Sequence, residues 1–171
     1  MKFEIDETEI KSSKIPHEIF LTNLIVNHIL YFVSALGIAK SIPQLVAVTP
    51  IVSVAALSYI LIRGKQQQES DSWFVRCHWQ IAMKRSKLLI LMLLGLVTLL
   101  GGIYSIHLFG GAALAKVLPL GAVVTLPVLV TIFALIIMES DALHQARNGR
   151  LSKSMVEKNP PPADLVVLEE E

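Results

Sequence analysis

Histidine and cysteine have the widest chemical reach in this chain, which holds five histidines and a single cysteine. Histidine is a usual axial ligand of haem and a common metal ligand. His28 and His107 are the two that fall within long apolar stretches. At 1.5 Å per residue His28 lies about 13 Å into the first stretch, and His107 sits about 15 Å further across. Axial ligands face each other at one depth, so this pair does not suit a haem. No His, Cys, Asp and Glu cluster has metal-ligand spacing, and no cofactor or metal is expected.

Cys77 stands beside His78, which invites comparison with a nucleophile and its base. Such a pair meets across space and needs a third orienting group, whereas helix neighbours point about 100° apart. A lone cysteine also excludes an intramolecular disulfide. No Gly-rich phosphate loop, nucleophile elbow or paired-carboxylate motif occurs. The expectation is a chain without catalytic residues.

Two further constellations stand out. Asn23, Asn27, Tyr31 and Ser34 recur at intervals of four, four and three, with His28 alongside, as one polar stripe on a helix. Polar groups within a bilayer act as interhelical glue or line a path for a small polar solute. The second is Trp73-Phe74-Val75-Arg76-Cys77-His78-Trp79, followed by Lys84, Arg85 and Lys87, with Ser70, Asp71 and Ser72 as N-cap side chains before it. Two tryptophans beside several cations suit an amphipathic helix at the headgroup layer. Anchoring explains Trp73, Phe74 and Trp79, explains Arg76 less well, and does not require His78. These five are the candidate partner-binding residues, and His78 is expected to act as a hydrogen-bonding hub or a buried neutral group.

The elements that position these residues follow from composition. Of 171 residues 53% are hydrophobic and 17% charged, against about 25% charged in soluble proteins, and mean hydropathy is +0.60. A net charge of +1 gives no reason to expect nucleic acid. Charge is absent from Ile19 to Ala39, Ser41 to Ile62, Leu88 to Ala115 and Val117 to Met138. About 20 apolar residues cross a bilayer. The pattern predicts an all-α membrane protein with four spans, at about 19–39, 45–62, 88–109 and 117–138. Residues 41–44 and Gly110-Gly111 make the short turns. The acidic lead-in lacks a cleavage pattern, so the first span is read as retained.

Thirteen of the 15 Lys and Arg residues lie in the N-tail (1–18), the 63–87 loop and the C-tail (139–171). That bias predicts both termini on the cytoplasmic side. The N-tail reads as a polar lead-in. Ala142, Leu143 and Ala146 can prolong the last helix to an Asn148-Gly149 C-cap. Beyond about residue 158 the Pro160–Pro162 run and terminal glutamates predict disorder. Pro50, Pro119 and Pro127 are expected to kink their helices, with Thr49, Ser53, Thr125 and Thr131 near the freed carbonyls. Gly95, Gly101 and Gly102 are expected to permit close helix approach.

Phe74-Val75, His78, Ala82-Met83, the Pro50 helix with Arg63 and Lys65 after it, and the Ala146-x-Asn148-Gly149 ending together resemble a known pattern. It is that of the small bacterial membrane proteins grouped as domain of unknown function 4870, distantly similar to the twenty-kilodalton channel subunit of the chloroplast inner-envelope translocon. The resemblance spans about residues 45–150. Trp79, Gln80 and Ile81 depart from the family's Ala-Arg/Lys-Gln, Lys84 replaces its Asn, and its Tyr-Pro after the glycine is missing. The resemblance implies a small helical protein of the bacterial inner membrane. The expected function is a non-enzymatic subunit or assembly partner, bound to the bilayer and to another membrane protein or its own copies. An oligomeric pore or carrier for a small solute or peptide segment is the alternative.

Overall fold

The computed structural model describes residues 1–70, 72–111, 113–163 and 165–169, excluding the side chains of 67–70, 114, 115, 117 and 118. Asp71, expected as a cap, and Glu170 and Glu171 lie outside the described residues. In chain order the elements are β1 (Lys2–Phe3), α1 (Glu7–Thr22), a π-helix (Asn23–Tyr31), α2 (Phe32–Ile38) and a 3-10 helix (Pro43–Ala47). There follow α3 (Val48–Ser70), α4 (Trp73–Gly110), α5 (Leu114–Arg147), α6 (Lys153–Lys158) and β2 (Val167–Glu169). Four helical stretches are long and apolar enough to cross a membrane: Glu7–Ile38, Pro43–Gln66, Trp73–Gly110 and Pro119–Arg147. That is the pattern of a multi-pass membrane protein.

The helices outrun the apolar stretches. Asp6 starts α1 twelve residues ahead of Ile19 by accepting from the Thr8 amide at 3.1 Å. The segment expected as a separate amphipathic helix is instead the beginning of α4, continuous with the third apolar stretch. Nothing between Met83 and Leu88 breaks a helix, so the chain has no reason to turn there. Pro50 is the third residue of α3, directly after the 3-10 turn. A first-turn proline loses no hydrogen bond, so the expected kink becomes a helix start. Thr125 and Thr131 bond carbonyls of their own helix, at 2.6 Å to Ala122 and 2.8 Å to Pro127, neither of them the Val123 carbonyl that Pro127 leaves without its amide.

The chain forms two compact units. The first joins residues 1–86 and 136–171. Here α1 and the π-helix lie along α3, and the termini meet the start of α4. The second, residues 87–135, carries the remaining lengths of α4 and α5, where a Cβ added at Gly121 would stand in ordinary contact with Leu100 Cδ2, at 3.5 Å. Gly95, Gly101 and Gly102, expected at close approaches, have no atom within 4 Å of their missing Cβ among the described residues. The close approach falls at Gly64, where a Cβ would come within 2.5 Å of Met83 Cγ.

The termini are more ordered than their composition predicts. β1 and β2 pair antiparallel, Lys2 opposite Glu169 and Phe3 opposite Val167. The Met1 carbonyl accepts from the Leu151 amide at 3.0 Å. Phe3, Trp73, Phe74, Cys77, Leu151 and Val156 form one buried cluster, with Met1, Ile5, Met155 and Leu165 packed against it. Burial of these side chains offsets the entropy of ordering both tails.

α5 ends as expected, at Gly149. The Arg150 amide donates to Gln145 O at 2.8 Å and the Gly149 amide to Ala146 O at 3.4 Å, a Schellman ending. Gly149 has φ of +65°, and a Cβ there would lie 2.9 Å from the Phe3 carbonyl oxygen. Gly149→Ala is expected to destabilise the chain by about 1–3 kcal/mol through left-handed strain and that clash. A thermal unfolding midpoint in detergent equal to the parent's would refute this.

Candidate functional site

The most concentrated chemistry lies where α1, α4 and α5 converge inside the first unit. His17 Nδ1 is 2.6 Å from Glu139 Oε2, and His17 Nε2 is 2.9 Å from His78 Nδ1. Arg85 donates to Glu139 Oε1 at 3.0 Å and to the Met138 carbonyl at 2.8 Å. His17, His78 and Glu139 are wholly buried, at 0% exposure, and the edge of Phe74 closes on His78. The rings of His17 and His78 meet at 89°.

Proton placement follows from the acceptors. An ionised Glu139 only accepts, so His17 Nδ1 carries a hydrogen. His78 Nδ1 faces His17, and the other side of its ring lies towards the Arg150 backbone. Burial, helped by the charges of His17 and Arg85 and opposed by the Arg150 backbone, pushes His78 down to about 3. His78 lies on α4 a full ten residues before the uncharged stretch at Leu88, outside the spanning segment. Arg85 and Glu139 neutralise each other, and the imidazoles extend the pair to α1. The cluster is a largely buried ion-pair network tying three helices together, with Arg85 at its partly exposed edge.

That arrangement has a pH signature. Folded His78 stays neutral below the ordinary value of 6.5, while the unfolded chain takes up the proton. Stability is therefore full above about pH 6.5 and falls as pH drops towards 3, by up to about 1.4 kcal/mol per unit. Unfolding midpoints at pH 7 and pH 5 should separate, and His78→Gln should narrow the separation. An unchanged separation in the variant would show that another group titrates.

The five aromatic and basic candidates are gathered in the same region. Trp73 is buried, stacks edge-on against Phe3 at 5.1 Å, and donates Nε1–H to Asn159 O at 2.9 Å. Phe74 and Trp79 are buried too, Trp79 with Tyr59 at its edge. Arg76 alone is partly exposed. These rings are committed to the chain's own core instead of lying open to headgroups or a partner. Cys77 is buried within that core, and burial pushes its thiol up to about 11, beyond nucleophilic use.

The polar stripe is spent between helices. Asn23 donates to Ser53 Oγ at 3.3 Å, and Asn27 to Asn23 Oδ1 and to the Thr49 carbonyl, each at 3.0 Å. His28 Nε2 lies 2.9 Å from Ser53 Oγ, and Tyr31 OH donates to the Leu45 carbonyl at 3.2 Å. Ser34 turns back to Leu30 O within its own helix. The stripe coincides with the π-helix Asn23–Tyr31. From its wider turn Asn27 and His28 both reach α3, at the Thr49 carbonyl and the Ser53 hydroxyl. Replacing Asn27 with Leu is expected to cost about 1–2 kcal/mol at the mean strength of intramembrane hydrogen bonds. If Asn27→Leu and His28→Leu fold like the parent yet change solute flux, the stripe is a pathway instead.

Among the described residues no group of three or more His, Cys, Asp and Glu side chains is placed to hold a metal. His17, Arg85 and Glu139 were not singled out by spacing, although all three stand within three residues of an uncharged stretch. Their shared place at the ends of uncharged stretches was the available signal. No family model, curated protein or solved structure matches this chain.

Proposed function

We propose that this chain is a non-enzymatic membrane subunit or assembly partner, with both termini on the cytoplasmic face. One observation carries the reading. On α4, Gly95, Thr98, Gly102 and Ser105 recur at intervals of three, four and three, forming one exposed face of small residues. Thr98 and Ser105 hydroxyls are satisfied by their own helix, on Leu94 O and Gly101 O. Only 6% of the most apolar window of this helix is buried within the chain. Small residues let a second helix approach closely, which is how membrane helices associate without a hydrophobic driving force.

Other features agree. Arg85, Glu139 and two histidines serve to hold helices together, with His17, His78 and Glu139 fully buried. The meeting of both termini with the start of α4 supports one shared membrane face, and the Lys and Arg bias supports the cytoplasmic one. Membership of the domain of unknown function 4870 family would place the chain in a bacterial inner membrane.

Purification in a mild detergent with chemical cross-linking tests the proposal. The expected result is a discrete assembly, with a partner or with copies of the chain, that Gly102→Ile disperses without lowering the unfolding midpoint. A monomer in both proteins would overturn it.

A further inference from the structure

A groove of about 470 Å³ runs along the first unit between α1 with its π-helix and α3, lined by Glu18, Ile19, Val26, Tyr31, Val52 and Ala56 among others. Its walls are apolar, and the Asn23 and Asn27 amides along it are already engaged by Ser53 and by the Thr49 carbonyl. An occupant therefore needs no polar groups along its length. From Glu18 to Tyr31 is about 20 Å at 1.5 Å per residue. One leaflet of hydrocarbon is about 15 Å, half of the bilayer core. The groove thus has the length of a single lipid tail, within the volume range of ligand pockets.

Charge sits at one end. Glu18 is exposed at the boundary of the first uncharged stretch, at headgroup level, and makes no hydrogen bond or ion pair among the described residues. Lys14, one turn back on the same face, has no such partner either among the described residues. A carboxylate at the mouth and an ammonium one turn outward complement a headgroup carrying an amine and a phosphate. We propose that this groove binds one aminophospholipid from the leaflet on the N-terminal side. Its tail lies between α1 and α3, its ammonium donates to Glu18, and its phosphate meets Lys14. A choline headgroup offers no N–H, and a glycerol headgroup offers no cation. Both are poorer fits.

The full chain is tested from bilayers of phosphatidylethanolamine, phosphatidylcholine and phosphatidylglycerol in equal parts, with bound lipid counted by native mass spectrometry after detergent extraction. The expected result is one retained phosphatidylethanolamine, favoured over phosphatidylcholine roughly two- to fivefold, as one exposed charge pair allows. Glu18→Gln should abolish the preference while a lipid is still retained. Val52→Phe, which fills the groove, should reduce retention of all three lipids at an unchanged unfolding midpoint. A photoreactive phosphatidylethanolamine tail should label peptides within 18–31 and 48–56. Equal retention of the three lipids by the parent, a preference that survives Glu18→Gln, or labelling confined to 87–135 would each overturn the proposal. So would a lipid-free dimer that Val52→Phe dissociates, since a second copy would then fill the groove.

Discussion

Glu139→Ala is expected to remove about 3–5 kcal/mol of stability, because it takes the buried carboxylate from both His17 and the partly exposed Arg85. Glu139 binds both Arg85 and His17 at 0% exposure. Its loss uncouples α1, α4 and α5 together. In detergent this should appear as a large fall in unfolding midpoint or as loss of monodisperse protein. The control is the pair Arg85→Met with Glu139→Leu. Replacing a buried ion pair by apolar side chains of similar size is commonly neutral, so the double variant should recover most of the loss. If it is no better than Glu139→Ala, the network contributes through something other than charge pairing.

The second large effect is expected at Trp73. Truncating a buried tryptophan to Ala costs about 3–5 kcal/mol through lost burial and the cavity left behind. Trp73 packs against Phe3 and holds Asn159, so the damage should be local to the terminal layer. Limited proteolysis should then cut the N-terminal strand and the region after Lys158 while the membrane helices remain protected. Trp73→Phe keeps most of the ring volume and loses only the Nε1–H bond, for about 1–3 kcal/mol. If Trp73→Ala leaves both tails as resistant as before, yet alters insertion depth, the residue is a headgroup anchor after all.

The two experiments probe features that differ in how legible they were. Four uncharged stretches, each longer than twenty residues, already required four helices able to cross a bilayer, because hydrocarbon satisfies no backbone polar group. Their turns and the Gly149 helix ending were equally readable, since local backbone chemistry decides them. The polar stripe of Asn23, Asn27, His28 and Tyr31 was visible as a pattern. Its π-helical wall was not, because the bonding register of that helix depends on what α3 offers opposite it.

The termini show the opposite case. Met1, Phe3 and Ile5 alternate with Lys2, Glu4 and Asp6, a two-residue period that fits a strand, yet two strand residues cannot form without their partners Glu169 and Val167 at the far end of the chain. Composition alone left the N-tail as a polar lead-in and the end of the chain without structure. Tertiary contact supplies the buried area that orders both, through Trp73, Phe74 and Leu151. Composition and charge placement by themselves determined the helical class and the number of apolar stretches, because a low-dielectric slab acts on every residue one at a time. Only the tertiary structure decided that His17, His78, Arg85 and Glu139 form one network and that the aromatic segment is core, because pairing in space joins positions as far apart as 122 residues along the chain.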